Sequence, residues 1–370
     1  MIAELDAEHG VVCALVRDRF GYFGWPTVGR MEDGTLVAVA SGLRSHHVCP
    51  YGRTTFFKSE DEGRTWTGPR VINDCPIDDR DAGVISTGGK GLLVTWFTSD
   101  TRLYVAGRQP DDPWLKDIAE GLRWSSNKAV RKFLGAWVML SKNGGDTWGR
   151  PIRVRLTTPH GPIRLRSGEL LFFGKDFAPT MEKFTRGVGD IMTTKSADGG
   201  KTWAELGAVP IYPGSDNECY HEPHVVELPS GKLIGHIRFQ SHGEHDVTKL
   251  GLVSFSIMQT ESTDGGRTWS PVQPLGFHGS PPHLMLHSSG AIVCTYGYRQ
   301  EPYGERACIS RDEGKTWQHY VIRDDAPDGD LGYPSSVELS DGSIFSLYYQ
   351  KPAAREDKCA VLWSRWQLPQ

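Results

Sequence analysis

The sequence predicts an all-β protein, a six-bladed β-propeller of four-stranded antiparallel blades, and three observations carry that prediction. An octapeptide of the form Ser-x-Asp/Asn-x-Gly-x-Thr-Trp occurs five times: SEDEGRTW at 59–66, SKNGGDTW at 141–148, SADGGKTW at 196–203, STDGGRTW at 262–269 and SRDEGKTW at 310–317. Five positions so specified match by chance on the order of once in a million start points. A fainter repeat sets a Gly eight residues after a shared start in six places: Pro26 to Gly34, Gly83 to Gly91, His160 to Gly168, Pro223 to Gly231, Pro282 to Gly290 and Pro334 to Gly342. Third, the chain holds 43 Gly and 12 Trp in 370 residues, and eight of those Gly and five of those Trp lie in the octapeptides. A length that would otherwise suggest two or three domains therefore reads as one ring, a single domain over 1–370.

Each unit reads as a strand, a Gly turn and a returning strand, followed in five units by a second hairpin whose turn is the octapeptide. There the Asp or Asn side chain bonds to backbone amides ahead of it, Gly takes positive φ to reverse the chain, and Trp anchors the loop. These carboxylates are read as structural. Gly314-Lys315-Thr316 is not a phosphate loop, because the earlier Gly is missing and no helix follows. The second unit carries an insertion over about 99–135, in which Pro113–Trp124 predicts a short helix with Pro at its start, either a rim or a plain surface excursion. The sixth unit lacks the octapeptide and has one strand-like stretch after Tyr349, Lys358–Leu368. It is one strand short, and Gly10–Val16 is expected to supply the missing outer strand and close the ring.

Charge and composition narrow the partners. With 41 basic and 45 acidic residues the formal charge is −4, which gives no electrostatic footprint for nucleic acid or an anionic membrane. The longest apolar runs, such as Gly91–Phe97 and Gly135–Leu140, fall short of the roughly 18 residues a membrane span needs. The start Met1-Ile2-Ala3-Glu4-Leu5-Asp6 lacks the basic and apolar regions of a secretory signal, so the chain is expected to be cytoplasmic or to have lost a leader. Seven cysteines without a CxxC pair are read as reduced, buried small residues.

Strand direction locates a site. If the first hairpin and the octapeptide turn on one face, the opposite face collects every first-strand start and every second-strand end. The starts include Trp25, Asp81, His160, His221-Glu222-Pro223-His224, His283 and Tyr333; the ends include Arg44 with His46 and His47, Lys175, Arg238 and Arg299. Such a polar, cationic and aromatic ring on a rigid scaffold is where function is expected. His-Glu-Pro-His is not a metalloprotease helix, since Pro opposes the helix that places two His four apart. A metal held by His160, His221, His224 and His283 is the lesser reading; histidines contacting a substrate or satisfied within the fold are preferred, and no metal or other cofactor is expected.

The octapeptides and these axial residues together resemble the sialidase (neuraminidase) superfamily, whose six-bladed propellers carry such Asp boxes. The resemblance covers nearly the whole chain, and it implies a glycan or oligosaccharide substrate. It also implies a Tyr nucleophile assisted by Glu, three arginines on the substrate carboxylate, and an Asp as acid. A phenol is not repelled by a carboxylate on the anomeric carbon as a carboxylate nucleophile would be. Tyr333 in Gly332-Tyr333-Pro334 matches the nucleophile, Glu222 its base, Arg238 and Arg299 the second and third arginines, and Arg44 a further substrate contact. The first arginine is absent, its tetrad reading Phe23-Gly24-Trp25-Pro26, and the glutamate bracing it is missing around Gln350. The loop Ser41–Arg53 has His46 and His47 but no carboxylate, so the acid falls to Asp81 or His47. Trp25 is expected to stack on the sugar, and His160, His224 and His283 to contact it. The reading is an exo-glycosidase releasing a terminal, acidic or unusual sugar. The alternatives are a propeller lyase acting on uronic acids and a non-catalytic glycan-binding propeller.

Overall fold

The computed structural model describes residues 2–177 and 189–370. Six antiparallel sheets form the ring. Blade 1 is built from Tyr22–Arg30, Leu36–Arg44, Arg53–Ser59 and Thr67–Asn73, and blade 2 from Asp78–Gly88, Gly91–Ser99, Ala136–Ser141 and Ile152–Val154. Blade 3 begins with two short pieces, Leu156–Thr157 and Ile163–Arg164, both paired with Leu170–Asp176, and continues through Ile191–Ser196 and Ala204–Ala208. Blade 4 comprises Tyr220–Glu227, Leu233–Phe239, Ser256–Ser262 and Gln273–His278; blade 5 comprises Pro282–Leu286, Ile292–Tyr298, Gly304–Ser310 and Gln318–Arg323. Blade 6 has Gly332–Glu338, Ile344–Gln350 and Ala360–Trp366.

The missing strand of blade 6 comes from Ala7–Cys13, which pairs antiparallel with Ala360–Trp366. It lies three residues earlier than Gly10–Val16. Its register is pinned at Gly10, where an added Cβ would stand 2.3 Å from the Trp363 indole. Ahead of it Ala3–Glu4 adds a short parallel edge to blade 5 against Tyr320 and Val321.

The register explains why the octapeptides recur. In blades 1 to 5 a residue at the start of the second strand, the first or in blade 2 the second, pairs with the octapeptide Ser: Leu36 with Ser59, Leu92 with Ser141, Leu170 with Ser196, Leu233 with Ser262 and Ile292 with Ser310. The two turns of each of these blades thus lie side by side at one end of the ring. Within the first octapeptide, Asp61 accepts from the Thr65 amide at 2.8 Å, the Thr65 hydroxyl at 2.6 Å and the Ser59 hydroxyl at 2.8 Å. Those bonds favour the ionised form and pull the Asp61 carboxyl down to about 2. The Gly that follows serves a second purpose. Gly63 has φ 91° and faces Phe345 of blade 6 so closely that a Cβ would come within 2.4 Å. Gly145 of blade 2, φ 86°, meets Phe56 of blade 1 at 2.5 Å in the same way. Each octapeptide is therefore a joint between neighbouring blades as well as a turn, and only Gly satisfies both demands.

On the axis, hydrogen bonds tie inner strands to one another. Val28 N–H donates to Ser335 Oγ at 3.2 Å, joining blades 1 and 6, and Thr158 Oγ donates to the Pro223 carbonyl, joining blades 3 and 4. Between the blades the core is apolar; Phe23 and Phe57 of blade 1 pack with Phe345 and Trp363 of blade 6. Six of the seven cysteines are buried, Cys75 is half-buried, and all are free.

The insertion in blade 2 folds as predicted over Pro113–Trp124, with the Asp112 side chain capping the Trp114 amide. A second helix, Asn127–Phe133, follows with Ser126 as its cap. The first helix packs on the loop after the first hairpin of blade 1, Trp114 Nε1 donating to the Val48 carbonyl at 2.8 Å and Gly121 N–H to Tyr51 Oη at 3.1 Å. Among the described residues no helix is long and apolar enough to cross a membrane.

Candidate active site

Four inner strands enter the ring with the same distortion. Trp25, Asp81, Glu222 and Tyr333 have φ of 53°, 50°, 46° and 53°. At each the pairing register slips, between Gly24 and Thr27, Arg80 and Gly83, His221 and His224, and Gly332 and Ser335. A left-handed residue with a side chain costs about 1–2 kcal/mol, and a bulge re-aims a side chain that strict alternation would send elsewhere. Four such bulges at equivalent places turn an aromatic ring, two carboxylates and a phenol toward one pocket.

That pocket encloses about 250 Å³ and is lined by Trp25, His47, Arg80, Asp81, Thr158, Lys175, His221, Glu222, Arg238, Gln240, Arg299 and Tyr333, with Phe97, Thr157, Pro159, Phe177 and His242 completing it. Blades 1 to 6 all contribute. Its centre is a three-residue network. Tyr333 Oη donates to Glu222 Oε1 at 2.6 Å, and Arg238 Nη1 donates to Glu222 Oε2 at 2.5 Å and to Tyr333 Oη at 3.1 Å. Gln240 Oε1 fixes the other edge of Arg238, accepting from Nε at 3.1 Å and Nη2 at 2.7 Å. Burial, and secondarily the Glu222 carboxylate, push the Tyr333 phenol well above its ordinary value. The resting state is therefore a neutral phenol whose proton already points at a carboxylate, the geometry of a nucleophile with its base.

Arg299 reaches the pocket with much of its guanidinium committed, Nε and Nη2 donating to the Leu331 carbonyl at 3.2 and 2.8 Å. Phe255 supports both cations, its ring centroid 4.9 Å from the Arg238 guanidinium and 5.1 Å from that of Arg299. Lys175 Nζ donates to the carbonyls of Asn217, at 2.7 Å, and Tyr220, at 2.5 Å. Burial lowers its pKa to about 8.

His47 lies in the loop where the resemblance implies an acid, and it has a carboxylate partner that sequence inspection did not supply. Its Nδ1 is 2.8 Å from Asp330 Oδ1, and Tyr22 Oη donates to the same oxygen at 3.0 Å. Burial opposes ionisation of Asp330, but the bonds from His47 and Tyr22 win and hold its carboxyl at about 2. Burial also lowers the His47 pKa below 6.5. Near neutral pH this is a neutral imidazole donating from Nδ1, which leaves Nε2 as the basic atom.

Arg44 and three of the expected histidines stand apart from the pocket, and Trp25 is largely covered. Arg44 is fully buried in a bidentate pair with Asp78, at 2.5 and 2.8 Å, and does not line the pocket. Trp25 reaches the wall but is only 1 % exposed, because the guanidinium groups of Arg80 and Arg44 cover its ring at 4.3 and 4.9 Å. Its ring lies beneath the arginines. His160, His224 and His283 cluster on the axis outside the pocket lining, with ring centroids 4.3 Å apart for His224 and His283 and 4.9 Å for His160 and His283. His224 Nδ1 accepts the Leu284 amide at 3.0 Å and His283 Nδ1 the Ser336 amide at 3.2 Å, so these rings join blades 4, 5 and 6. Burial keeps all three neutral, His224 down to about 3. Among the described residues no group of three or more His, Cys, Asp or Glu is placed to hold a metal ion.

A ring of six antiparallel blades with a polar pocket on its axis defines the class, a six-bladed β-propeller. More particularly, residues 118–346 match the BNR repeat-like domain family, and the chain belongs to it. Sequence similarity extends to a sialidase of Micromonospora viridifaciens, 24% identical over 380 residues that cover 94% of this chain and 53% of the relative. The chain thus spans about half the length of that curated relative. Among solved structures, a protein of unknown function from Dyadobacter fermentans superposes with a TM-score of 0.75 at 22% identity, covering 98% of both chains. An intramolecular trans-sialidase from Ruminococcus gnavus, solved with oseltamivir carboxylate, superposes with a TM-score of 0.65 at 15% identity, covering 97% of both. These likenesses establish the fold.

Proposed function

We propose that the protein is a glycoside hydrolase that releases a terminal sugar with Tyr333 as nucleophile and Glu222 as its base. The observation that carries this reading is the 2.6 Å bond from the Tyr333 phenol to Glu222, bridged on both sides by Arg238. As Tyr333 Oη attacks the anomeric carbon, its proton passes to Glu222 and the glycosidic bond breaks. The leaving oxygen takes a proton from Asp81, which faces the same pocket from blade 2. Water then attacks the tyrosyl glycoside, gives a proton to Asp81, and the phenolate recovers its proton from Glu222. Arg238 stabilises the phenolate as it forms, so the high resting pKa of the phenol is offset where charge develops. A pocket of about 250 Å³ suits one sugar unit rather than a length of chain, in keeping with exo action.

One observation favours a second reading. The neutral His47, oriented by Asp330, has the form of a base that removes a carbon-bound proton, and Tyr333 would then return a proton to the leaving oxygen in an elimination. Product analysis on a confirmed oligosaccharide substrate decides between them. Hydrolysis adds water to the products, whereas elimination gives an unsaturated sugar absorbing in the near ultraviolet. Turnover surviving in both Tyr333→Phe and Glu222→Gln would sink the hydrolase reading.

A further inference from the structure

We propose that helix Pro113–Trp124, the insertion of blade 2, is a positioning element of the pocket: it holds the loop over residues 45–52 so that the His47 imidazole stands fixed against the bound sugar. The inference rests on the pocket being the substrate site, as the proposed function has it. That loop joins Leu36–Arg44 to Arg53–Ser59 and has no strand or helix of its own. His47 lines the pocket from it. A loop left to itself places a side chain loosely, whereas a group that meets substrate has to be held to within about 0.5 Å.

Three sets of contacts hold this loop. Arg44, locked on Asp78, donates through Nε to the His46 carbonyl at 3.3 Å and through Nη2 to the His47 carbonyl at 3.0 Å. Asp330 takes the His47 ring at Nδ1, 2.8 Å away. The third set comes from the helix, where Trp114, Asp117, Ile118, Gly121 and Leu122 fall at i, i+3, i+4, i+7 and i+8 and so share one face. Trp114 Nε1 donates to the Val48 carbonyl at 2.8 Å; Gly121 N–H donates to Tyr51 Oη at 3.1 Å, which in turn donates to the Asp117 carbonyl at 3.2 Å. Asp117 Oδ2 stands 3.1 Å from His46 Nε2. Cys49 and Tyr51 are 0% and 5% exposed, and the apolar cluster that holds them is completed by Ile118, Trp114 and Leu122 of the helix with Phe20. Without the helix those two side chains and the Val48 carbonyl would face water, and the chain beyond His47 would lose its hold. The fit is close at Gly121, where an added Cβ would stand 2.5 Å from Pro50 Cγ and 2.6 Å from the Tyr51 ring. A segment inserted in blade 2 thus fixes a wall of the pocket that blade 1 supplies.

Proton–nitrogen correlation spectra of the histidine rings in the full chain test this without a substrate, with His47 assigned by its absence from His47→Gln. The groups that face its ring are Asp330 and Tyr22 at Nδ1, the Trp25 ring at 4.8 Å, and the charges of Arg80 and Arg44. Wild type is expected to show one tautomer, protonated at Nδ1 and titrating below 6.5. Gly121→Ala should push the loop outward, and Trp114→Phe should strand the Val48 carbonyl while keeping an aromatic ring. In each the His47 signals should divide between tautomers and the titration should move toward 6.5 by about half a unit or more. Lys116→Ala, exposed on the opposite face of the helix, and Asp61→Ala, at the other end of the ring, should leave them as in wild type. His47 signals unchanged in both helix variants overturn the proposal, as does an equal change in Lys116→Ala or Asp61→Ala, which would make the effect one of general stability. Should Gly121→Ala fail to fold, Trp114→Phe decides. Tyr333→Phe keeps the two readings distinct: turnover that persists there refutes the hydrolase reading and leaves the role of the helix standing, since the imidazole is observed without substrate.

Discussion

The two ends of the ring use carboxylates in opposite ways. At the turn end, Asp61, Asp198, Asp264 and Asp312 each bond a Thr four residues on through backbone and side chain, so their partners are local and their pKa values depressed. At the pocket end, Glu222 bonds Tyr333, 111 residues away, and Asp330 bonds His47, 283 residues away. A carboxylate satisfied by its own turn holds a shape. One satisfied across the ring depends on all six blades and holds chemistry.

The widest gap between the two ends should appear in turnover. Tyr333→Phe is expected to reduce kcat on a confirmed substrate by about 10³-fold or more, because no other group replaces a nucleophile, while the melting temperature changes little. Asp61→Ala should do the reverse, leaving kcat intact and lowering Tm by roughly 2 °C, the scale of one or two hydrogen bonds. A large loss of kcat in Asp61→Ala would break the division between the ends.

The joints offer the next largest effect. Gly145→Ala is expected to destabilise by about 2–4 kcal/mol, since the added Cβ would meet Phe56 at 2.5 Å with the backbone at φ 86°. Gly231→Ala, at φ 85° but with nothing within 4 Å, isolates the backbone cost at about 1 kcal/mol. Denaturant melts of the two variants measure the difference, and equal losses would deny the octapeptide its role as a joint.

The smallest contrast is in pH. The octapeptide carboxyls have folded pKa values below their usual 3.8, so the stability they add is complete above pH 3.8 and is lost as pH falls toward about 2. Asp79, on the pocket end, goes the other way. Burial first, then the neighbouring Asp78 charge, raises its carboxyl to about 7 against the bonds from Cys75 and Asn73. Above pH 3.8 the unfolded chain releases that proton while the folded chain keeps it, so this site loses stability as pH rises toward 7. The buried histidines push stability the other way over the same range, so the test is the difference between wild type and Asp79→Asn: melting curves between pH 4 and pH 7 should show wild type losing stability relative to the variant as pH rises.

Much of the ring was legible because its turns repeat: the octapeptides mark five blades and the Gly eight residues after each start marks six. The register that sets Ser59 beside Leu36 follows from those turns. The closing strand was displaced to Ala7–Cys13 because the fit of Gly10 on Trp363 is a contact between chain ends. At the site, residue types at strand starts could be read, and three of the four bulges, at Trp25, Glu222 and Tyr333, precede a Pro. What a bulge does to direction could not be read. It turns Trp25 under Arg80 and Arg44 instead of toward solvent, and it leaves Arg80 in the pocket beside Asp81. Nor does spacing reveal that Arg44 belongs to Asp78 or that Asp330 orients His47.

The strand Ala7–Cys13 bears on how the chain acquires its shape. It can find its partner only after residues 360–366 have been synthesised, so it waits as an unpaired edge while the blades between them emerge. The pairing spans almost the entire sequence, a loop closure that slows folding far more than it adds to stability. Assembly is therefore expected to proceed blade by blade, with ring closure last. Amide exchange during refolding should then find the hydrogen bonds between Ala7–Cys13 and Ala360–Trp366 protected after those within blades 2 to 4.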